Sequence, residues 1–385
     1  MGFIIDISTA VPAFTIETED VVQFFSKAFN ASPEAKKIIR FLNNRTKITR
    51  RYSCIPDYKG RENELYSDDN FDQPLEKRMD LYQKKLVPLA SYAVDLLMKK
   101  NNINPSQITH LITVSCTGMM APGFELQLAE KYNLLHAEKT AINFLGCYAG
   151  LKAIKQANQI TGSDTNACVL IVCTELCSLH YHPTTKNEDI VANLLFGDGA
   201  AAVLFCGENN SLIKNKASLK IDAIGSGFIP CTSGLMSWNL SSTAFKMHLS
   251  AKVVNALKSN IASSVERFLN GNKMDYWAIH PGGIKIVEAV KDELKLSEKD
   301  IEDSLHILQQ YGNMSSGTIF FILQRILDKI RESGNAGQNI FSCAFGPGIN
   351  IEMIRLRSVI YTNEIPSTKS GDVTPKEIIP ERTAG

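Results

Sequence analysis

The chain has 385 residues, 44% of them hydrophobic and 21% charged, which suits a globular protein with a large core and excludes a disordered or collagen-like polypeptide. A formal net charge of +1 leaves no global field to attract nucleic acid or an anionic membrane, so neither is expected as a partner. Nine cysteines, an odd number mostly inside apolar runs, point to a reducing, cytoplasmic setting rather than a disulfide framework, and Cys173 and Cys177 have no matching His/Cys pair in zinc-site spacing, so no metal is expected.

The opening, Met1-Gly2-Phe3-Ile4-Ile5-Asp6, has neither a basic stretch nor a long apolar one and does not read as a signal peptide; Asp6 stands where a myristoylation motif carries Ser or Thr. No window approaches a transmembrane span. Residues 81–100 show helical apolar spacing through Leu86, Leu89, Val94 and Leu97, and residues 108–115 read as a buried strand. A further apolar run ends at Gly146-Cys147-Tyr148-Ala149-Gly150, and a helical pattern follows at once. A Cys at such an elbow sits over a helix N-terminus, whose partial positive charge favours the nucleophilic thiolate. A lone Cys in an apolar stretch is more often packing, so the rest of the chain has to decide.

Strand patterns recur at 169–173, 200–205 and 220–224, and residues 251–270 predict a helix with Val254, Leu257, Ile261 and Val265 on one face. Residues 276–279 read as a strand delivering His280 into His280-Pro281-Gly282-Gly283. Gly312-Asn313 then opens a small-residue loop before a helical run at 319–330. The strand–loop–helix plan at 108–124 recurs at 275–286, and Gly146-Cys147 with its helix echoes Gly312-Asn313 with its own, so two copies of one α/β plan would bring their loops to a shared face. Residues 362–385, rich in Pro, Ser and Thr, read as a flexible tail. Alone, His280 suits a core histidine and Asn313 a helix cap. With Cys147 they supply a nucleophile, a base and an amide donor.

At this point the sequence resembles the type III polyketide synthases, the chalcone-synthase-like branch of the thiolase-fold condensing enzymes. The resemblance runs from Ile5 to about Ile360. Its marks include Thr49-Arg50-Arg51-Tyr52, Gly146-Cys147-Tyr148-Ala149-Gly150, Leu195-Phe196-Gly197-Asp198-Gly199, Trp277-Ala278-Ile279-His280-Pro281-Gly282-Gly283, Gly312-Asn313-Met314-Ser315-Ser316 and Phe345-Gly346-Pro347-Gly348. It implies an α/β, thiolase-like fold of two pseudo-duplicated halves in a layered αβαβα architecture, with the nucleophile half at 1–215 and the His/Asn half at 216–361. The wording rich in Lys and Asn further resembles the C-terminal domains of amoebal hybrid fatty-acid/polyketide synthases. That would make the chain a domain of a longer polypeptide, with an upstream acyl carrier domain as a candidate donor.

The resemblance implies an acyltransferase that loads a starter, expected to be fatty acyl, on Cys147, extends it with malonyl-CoA by decarboxylative Claisen condensation and cyclises the product to a pyrone, resorcinol or acylphloroglucinol. His280 would pair with the Cys147 thiolate, and His280 and Asn313 would hold the thioester oxygen of malonyl-CoA. Phe196 matches a gatekeeper, Met247 stands where the plant enzymes carry a second aromatic gate, and His180 falls near a small cavity residue. Glu175 and Ser315 match positions that can hold a cyclisation-promoting water. Lys37, Arg40 and Arg45 match a cluster that binds coenzyme A phosphates, and Ala344 replaces a loop glycine, narrowing the cyclisation cavity. The loop Met119-Met120-Ala121-Pro122-Gly123 would cross a homodimer interface. No cofactor beyond the thioester substrates is implied. An initiating β-ketoacyl carrier-protein synthase shares the three catalytic residue types; a Cys-His-Asn protease is disfavoured by the mid-chain Cys, and a non-catalytic thiolase-like module predicts no acylated Cys147.

Overall fold

The computed structural model describes residues 2–360 apart from 30, 61, 68, 69, 185 and 215, so the tail expected at 362–385 lies outside the described residues. The first half runs β1 (Gly2–Ala10), β2 (Phe14–Glu17), α1 (Thr18–Ala28), α2 (Pro33–Thr46), β3 (Arg50–Ser53), α3 (Leu75–Asn101), β4 (His110–Ser115), α4 (Phe124–Lys131), β5 (Glu138–Asn143), α5 (Ala149–Ser163), β6 (Cys168–Leu176), α6 (Asn187–Leu195) and β7 (Asp198–Gly207). The second runs β8 (Ala217–Phe228), β9 (Met236–Leu240), β10 (Phe245–Leu249), α7 (Lys252–Leu269), β11 (Tyr276–Ile279), α8 (Ile284–Leu294), α9 (Glu302–Tyr311), α10 (Thr318–Ser333), β12 (Asn339–Gly346) and β13 (Asn350–Ile360).

Nine strands form one mixed sheet in the order β11-β12-β13-β8-β1-β7-β6-β4-β5. From β1 outward the pairings are antiparallel to β7, antiparallel to β6, parallel to β4 and parallel to β5. From β8 outward they are antiparallel to β13, antiparallel to β12 and parallel to β11. The two halves therefore repeat one strand plan, and the first adds β5 as an extra edge. A short pairing of β1 with β8, at Phe3 with Lys220 and Ile4 with Leu219, joins them.

Period-2 alternation sends successive side chains to opposite faces and so builds layers. Val169, Ile171 and Cys173 of β6 and Ile354 and Leu356 of β13 enter one central core with α5 and α10. Leu170 and Val172 face α3 on the other side of the first half, while Ile351 and Met353 face α7 and α8 on the other side of the second. The result is helix–sheet–helix–sheet–helix, with α5 and α10 as the middle layer. On α7 the fully buried stripe is Val253, Leu257, Ile261 and Val265. Val254, expected in that stripe, sits one position off it and lines a cavity, because four residues before Leu257 lies Val253.

The central layer is tight where α5 meets the turn before α10. A Cβ on Gly150 would lie 2.4 Å from the Ser316 carbonyl oxygen, a backbone atom that cannot rotate away, whereas Gly162 in the same helix faces open space. Gly150→Ala should lower unfolding free energy by about 1–3 kcal/mol. Gly162→Ala should raise it by about 0.5–1 kcal/mol. Denaturant titration of the two variants side by side checks both signs.

Candidate active site

Cys147 lies at the elbow between β5 and α5. Phe144 at φ +60° and Gly146 at φ +88° turn the chain there, and a Cβ on Gly146 would lie 2.6 Å from a Pro347 ring carbon, so glycine is needed both for its conformation and for the close approach. Asn313 comes from the equivalent corner of the second half. Its N–H donates to the Leu195 carbonyl at 2.9 Å and its carbonyl accepts from Gly197 N–H at 3.0 Å, which locks it beside Phe196. Its Oδ1 accepts from Ser315 N–H at 2.8 Å, leaving Nδ2 facing the Cys147 sulfur at 3.8 Å. Asn313 is thus not a helix cap; the turn Ser315–Gly317 separates it from α10.

His280 follows β11 directly, with its N–H donating to the Cys343 carbonyl at 2.8 Å. Its side chain is 1% exposed and neither ring nitrogen has a hydrogen-bond partner among the described residues. Burial pushes the imidazole down to about 3. Burial likewise pushes the Cys147 thiol up to about 11, against smaller lowering effects of hydrogen bonds with Ser315 and Asn313. Burial thus opposes the charged form of each group taken singly, while the partial positive charge at the start of α5 favours the thiolate.

Cys147 opens into a chamber lined also by Phe196, Met247, His180 and Ser315. His180 does not act as a small cavity residue. Its ring stacks on Phe245 at 4.5 Å, Nε2 lies 2.6 Å from the Thr117 carbonyl, and Nδ1 accepts from Phe245 N–H at 3.2 Å. The Nε2–H tautomer satisfies both contacts, and burial holds the ring neutral, down to about 3. Trp238 meets the same ring edge-on and donates Nε1–H to the Cys116 carbonyl at 2.8 Å. Met247 pairs across the β9–β10 hairpin with Trp238.

Glu175 does not line the chamber. Fully buried, it accepts from Cys116 N–H at 2.9 Å, from the Thr117 hydroxyl at 2.8 Å and from the Ser316 hydroxyl, and so braces β6, the loop after β4 and the turn before α10. Burial raises its pKa against those hydrogen bonds. Asp198 plays a similar part, accepting from Cys54 N–H and Ser178 N–H at 2.7 Å each, with burial pushing it up to about 6. Ala344 is wholly buried in the central core, so its methyl does not narrow the chamber as expected; Pro347, three residues on, does line it.

A second, more apolar cavity is lined by Leu195, Leu249, Val253, Gly282, Gly283 and Arg45. Leu195 is the chain neighbour of Phe196, and Leu249 stands two residues after Met247 on β10. Of the three basic residues predicted for coenzyme A, only Arg45 lines this cavity. Arg40 is held in a two-armed contact with Glu19 at 2.7 and 3.0 Å, and Lys37 is exposed on α2. Among the described residues no three His, Cys, Asp or Glu side chains are grouped to hold a metal ion, and no helix is long and apolar enough to cross a membrane.

Several chamber residues carried no assigned role in the sequence. Trp238 and Phe245 reach it from a hairpin whose placement depends on long-range hydrogen bonds. Arg51, in the Thr49-Arg50-Arg51-Tyr52 motif, lines the chamber, donates to the Leu194 carbonyl and to Asn43 Oδ1, and is lowered to about 10 by burial.

The family model for the N-terminal domain of chalcone and stilbene synthases matches residues 1–209, and that for their C-terminal domain matches residues 220–360. "Probable polyketide synthase 1" of Dictyostelium discoideum is 27% identical across 93% of this chain, which spans only 12% of that relative's length. "Type III polyketide synthase C" of Arabidopsis thaliana is 25% identical across 92% of this chain and 95% of its own length. The crystal structure of PKS-I from the brown alga Ectocarpus siliculosus superposes with a TM-score of 0.85 at 27% identity, over 93% of this chain and 98% of that one. The C-terminal type III polyketide synthase domain of Steely1, a type I/III hybrid from Dictyostelium, gives 0.84 at 24% identity over 93% and 99%, a likeness of fold.

Proposed function

The chain belongs to the chalcone and stilbene synthase family of type III polyketide synthases, and from that premise we propose that it is an acyltransferase that builds a polyketide on Cys147 from an aliphatic starter and malonyl-CoA. The observation that carries the proposal is the Asn313 amide facing the Cys147 sulfur at 3.8 Å from 166 residues away, at the head of a largely apolar chamber.

In the proposed loading step His280 takes the Cys147 proton, the sulfur attacks the starter thioester, and the acyl group passes to sulfur as the donor thiolate leaves and recovers the proton. The orphaned His280 ring and the Asn313 Nδ2–H then hold the thioester oxygen of malonyl-CoA while its carboxylate departs as carbon dioxide. Phe196 presents an apolar ring where that carboxylate arrives, which favours its loss. The resulting carbanion attacks the acyl carbonyl on Cys147, expelling the sulfur and lengthening the chain by two carbons. Loss of carbon dioxide drives each condensation, so the chemistry calls for no metal or redox cofactor. The second apolar cavity would admit the pantetheine arm, with Arg45 in its lining for the coenzyme's phosphates.

The aliphatic starter follows from Met247 in place of an aromatic gate and from the apolar lining. Cyclisation to a pyrone, resorcinol or acylphloroglucinol would occur in the same chamber. The proposed assembly is a homodimer over the face carrying the edge strand β5, where Met119, Leu126 and Leu135 are 50%, 42% and 65% exposed. An acyl carrier domain is a second proposed donor, in keeping with the longer Dictyostelium relative.

Incubation with malonyl-CoA and a panel of acyl-CoA starters, with products read by mass spectrometry, tests the reading. Cyclised products containing two or more extensions are expected. A single extension from every starter would identify the initiating β-ketoacyl synthase instead.

A further inference from the structure

Helix α2 carries an exposed apolar strip beside the second cavity. Steps of three and four residues stack Ile38, Phe41, Leu42 and Arg45 on one side of it. Leu42 and Arg45 line the cavity, together with Gly282 and Gly283 of the loop that follows His280. Farther along the same face Ile38 is 51% and Phe41 58% exposed, and the Arg45 guanidinium lies 5.5 Å over the Phe41 ring. Lys36 and Arg40 stand on the opposite flank, in a hollow against α1 shared with Glu19, and Arg40 is paired with that carboxylate.

Such a face suits a nucleotide poorly. The pyrophosphate and ribose phosphate of coenzyme A would leave the cavity over two large apolar side chains, and the charges in the lining are Arg45 and Lys285 against the Glu188 carboxylate. A pantetheine arm tethered to a protein carries a single phosphodiester, which Arg45 alone can meet. The body of that protein can cover Ile38 and Phe41 with apolar side chains of its own. Large apolar residues left exposed together beside a charged rim are the mark of a macromolecular contact.

We infer that Ile38 and Phe41 dock an acyl carrier domain, whose phosphopantetheine arm passes Arg45 into the second cavity and delivers the starter to Cys147. The inference rests on the reading that a starter thioester is loaded on Cys147 through that cavity. In the transfer the acyl–sulfur bond to the arm breaks, the acyl bond to Cys147 forms, and the Cys147 proton ends on the arm's thiol. Coenzyme A thioesters still enter, held by the arm and Arg45, but gain nothing from Ile38 and Phe41.

The test reads acylation of Cys147 by mass spectrometry from three donors of one octanoyl group: a stand-alone acidic acyl carrier protein, coenzyme A and pantetheine. Wild type should reach half-maximal loading from the carrier at a concentration about tenfold or more below that for octanoyl-pantetheine. The double variant Ile38→Ser, Phe41→Ser should lose that advantage, with its use of the two small donors within about twofold of wild type. Phe41→Leu, apolar but not aromatic, should keep it. Thermal melting confirms folding, which two exposed positions do not threaten. Equal use of carrier and pantetheine by wild type would overturn the inference, and so would a double variant that keeps the carrier advantage. Loss confined to octanoyl-CoA in Phe41→Leu would assign that ring to adenine, and a smaller assembly of the double variant in light scattering would assign the strip to a second copy of the chain; either result overturns it. Wild-type protein acylated by none of the donors would overturn the synthase reading, and the inference with it.

Discussion

Cys147→Ala protein will retain its fold, carry no acyl group after incubation with starter thioester, and form polyketide at least about 10³-fold more slowly than wild type. The size of the effect follows from the site's construction. Gly146 in its left-handed turn, the Cys116 sulfur accepting Gly146 N–H at 3.0 Å and the packed start of α5 all serve to place one sulfur at the chamber head. Cys116 and Cys177 also line the chamber, and burial raises both thiols well above their ordinary range, so neither is a ready substitute. Peptide mapping checks this. An acyl adduct on Cys116 or Cys177 in the variant would show that the sulfur at the elbow is not the carrier.

The second large effect concerns His280. In His280→Gln, decarboxylation of malonyl-CoA should fall by about 10²–10³-fold, the usual consequence of losing a donor aimed at a developing oxyanion. Asn313→Ala should show a loss of the same order. The two residues are separable by a second readout, the pH dependence of Cys147 alkylation. Thiolate is the reactive form, so alkylation rises with pH up to the thiol's pKa. Burial pushes that thiol up to about 11. With no imidazole to take the proton, His280→Gln should keep gaining rate toward that region. In wild type, with His280 taking the proton as proposed, the rate should level off at lower pH. Asn313→Ala should follow the wild-type profile far more closely than His280→Gln does. Identical profiles for wild type and His280→Gln would remove His280 from the loading step and leave it a role in decarboxylation only.

Much of this site could be read from the chain because its parts are local. A glycine-rich corner at the end of an apolar run requires only neighbouring residues, and Cys147, His280 and Asn313 each stand at such a corner. The strand at Tyr276–Ile279 was legible to the residue for the same reason. What escaped depends on distant partners. Arg40 reads as a phosphate ligand until α1 brings Glu19 onto it from 21 residues away. Glu175 suits a water site until Ser316, 141 residues on, closes it into a brace. His180 looks like a bulky intruder until Thr117 and Phe245 are seen to hold it. Ala344 sits in a loop motif by wording but on β12 by pairing, where alternation turns its methyl inward.

The repeated strand plan has one more consequence. The same corner of each copy ends in a group of the candidate site, yet the groups differ: sulfur in one and a carboxamide in the other, joined by α5 and α10 lying back to back. In the proposed reaction neither copy works alone, since each holds what the other lacks. A gene that doubled and then let its two products diverge would arrive at this division of labour, and the seam between the copies, rather than either one, is the inherited unit of chemistry.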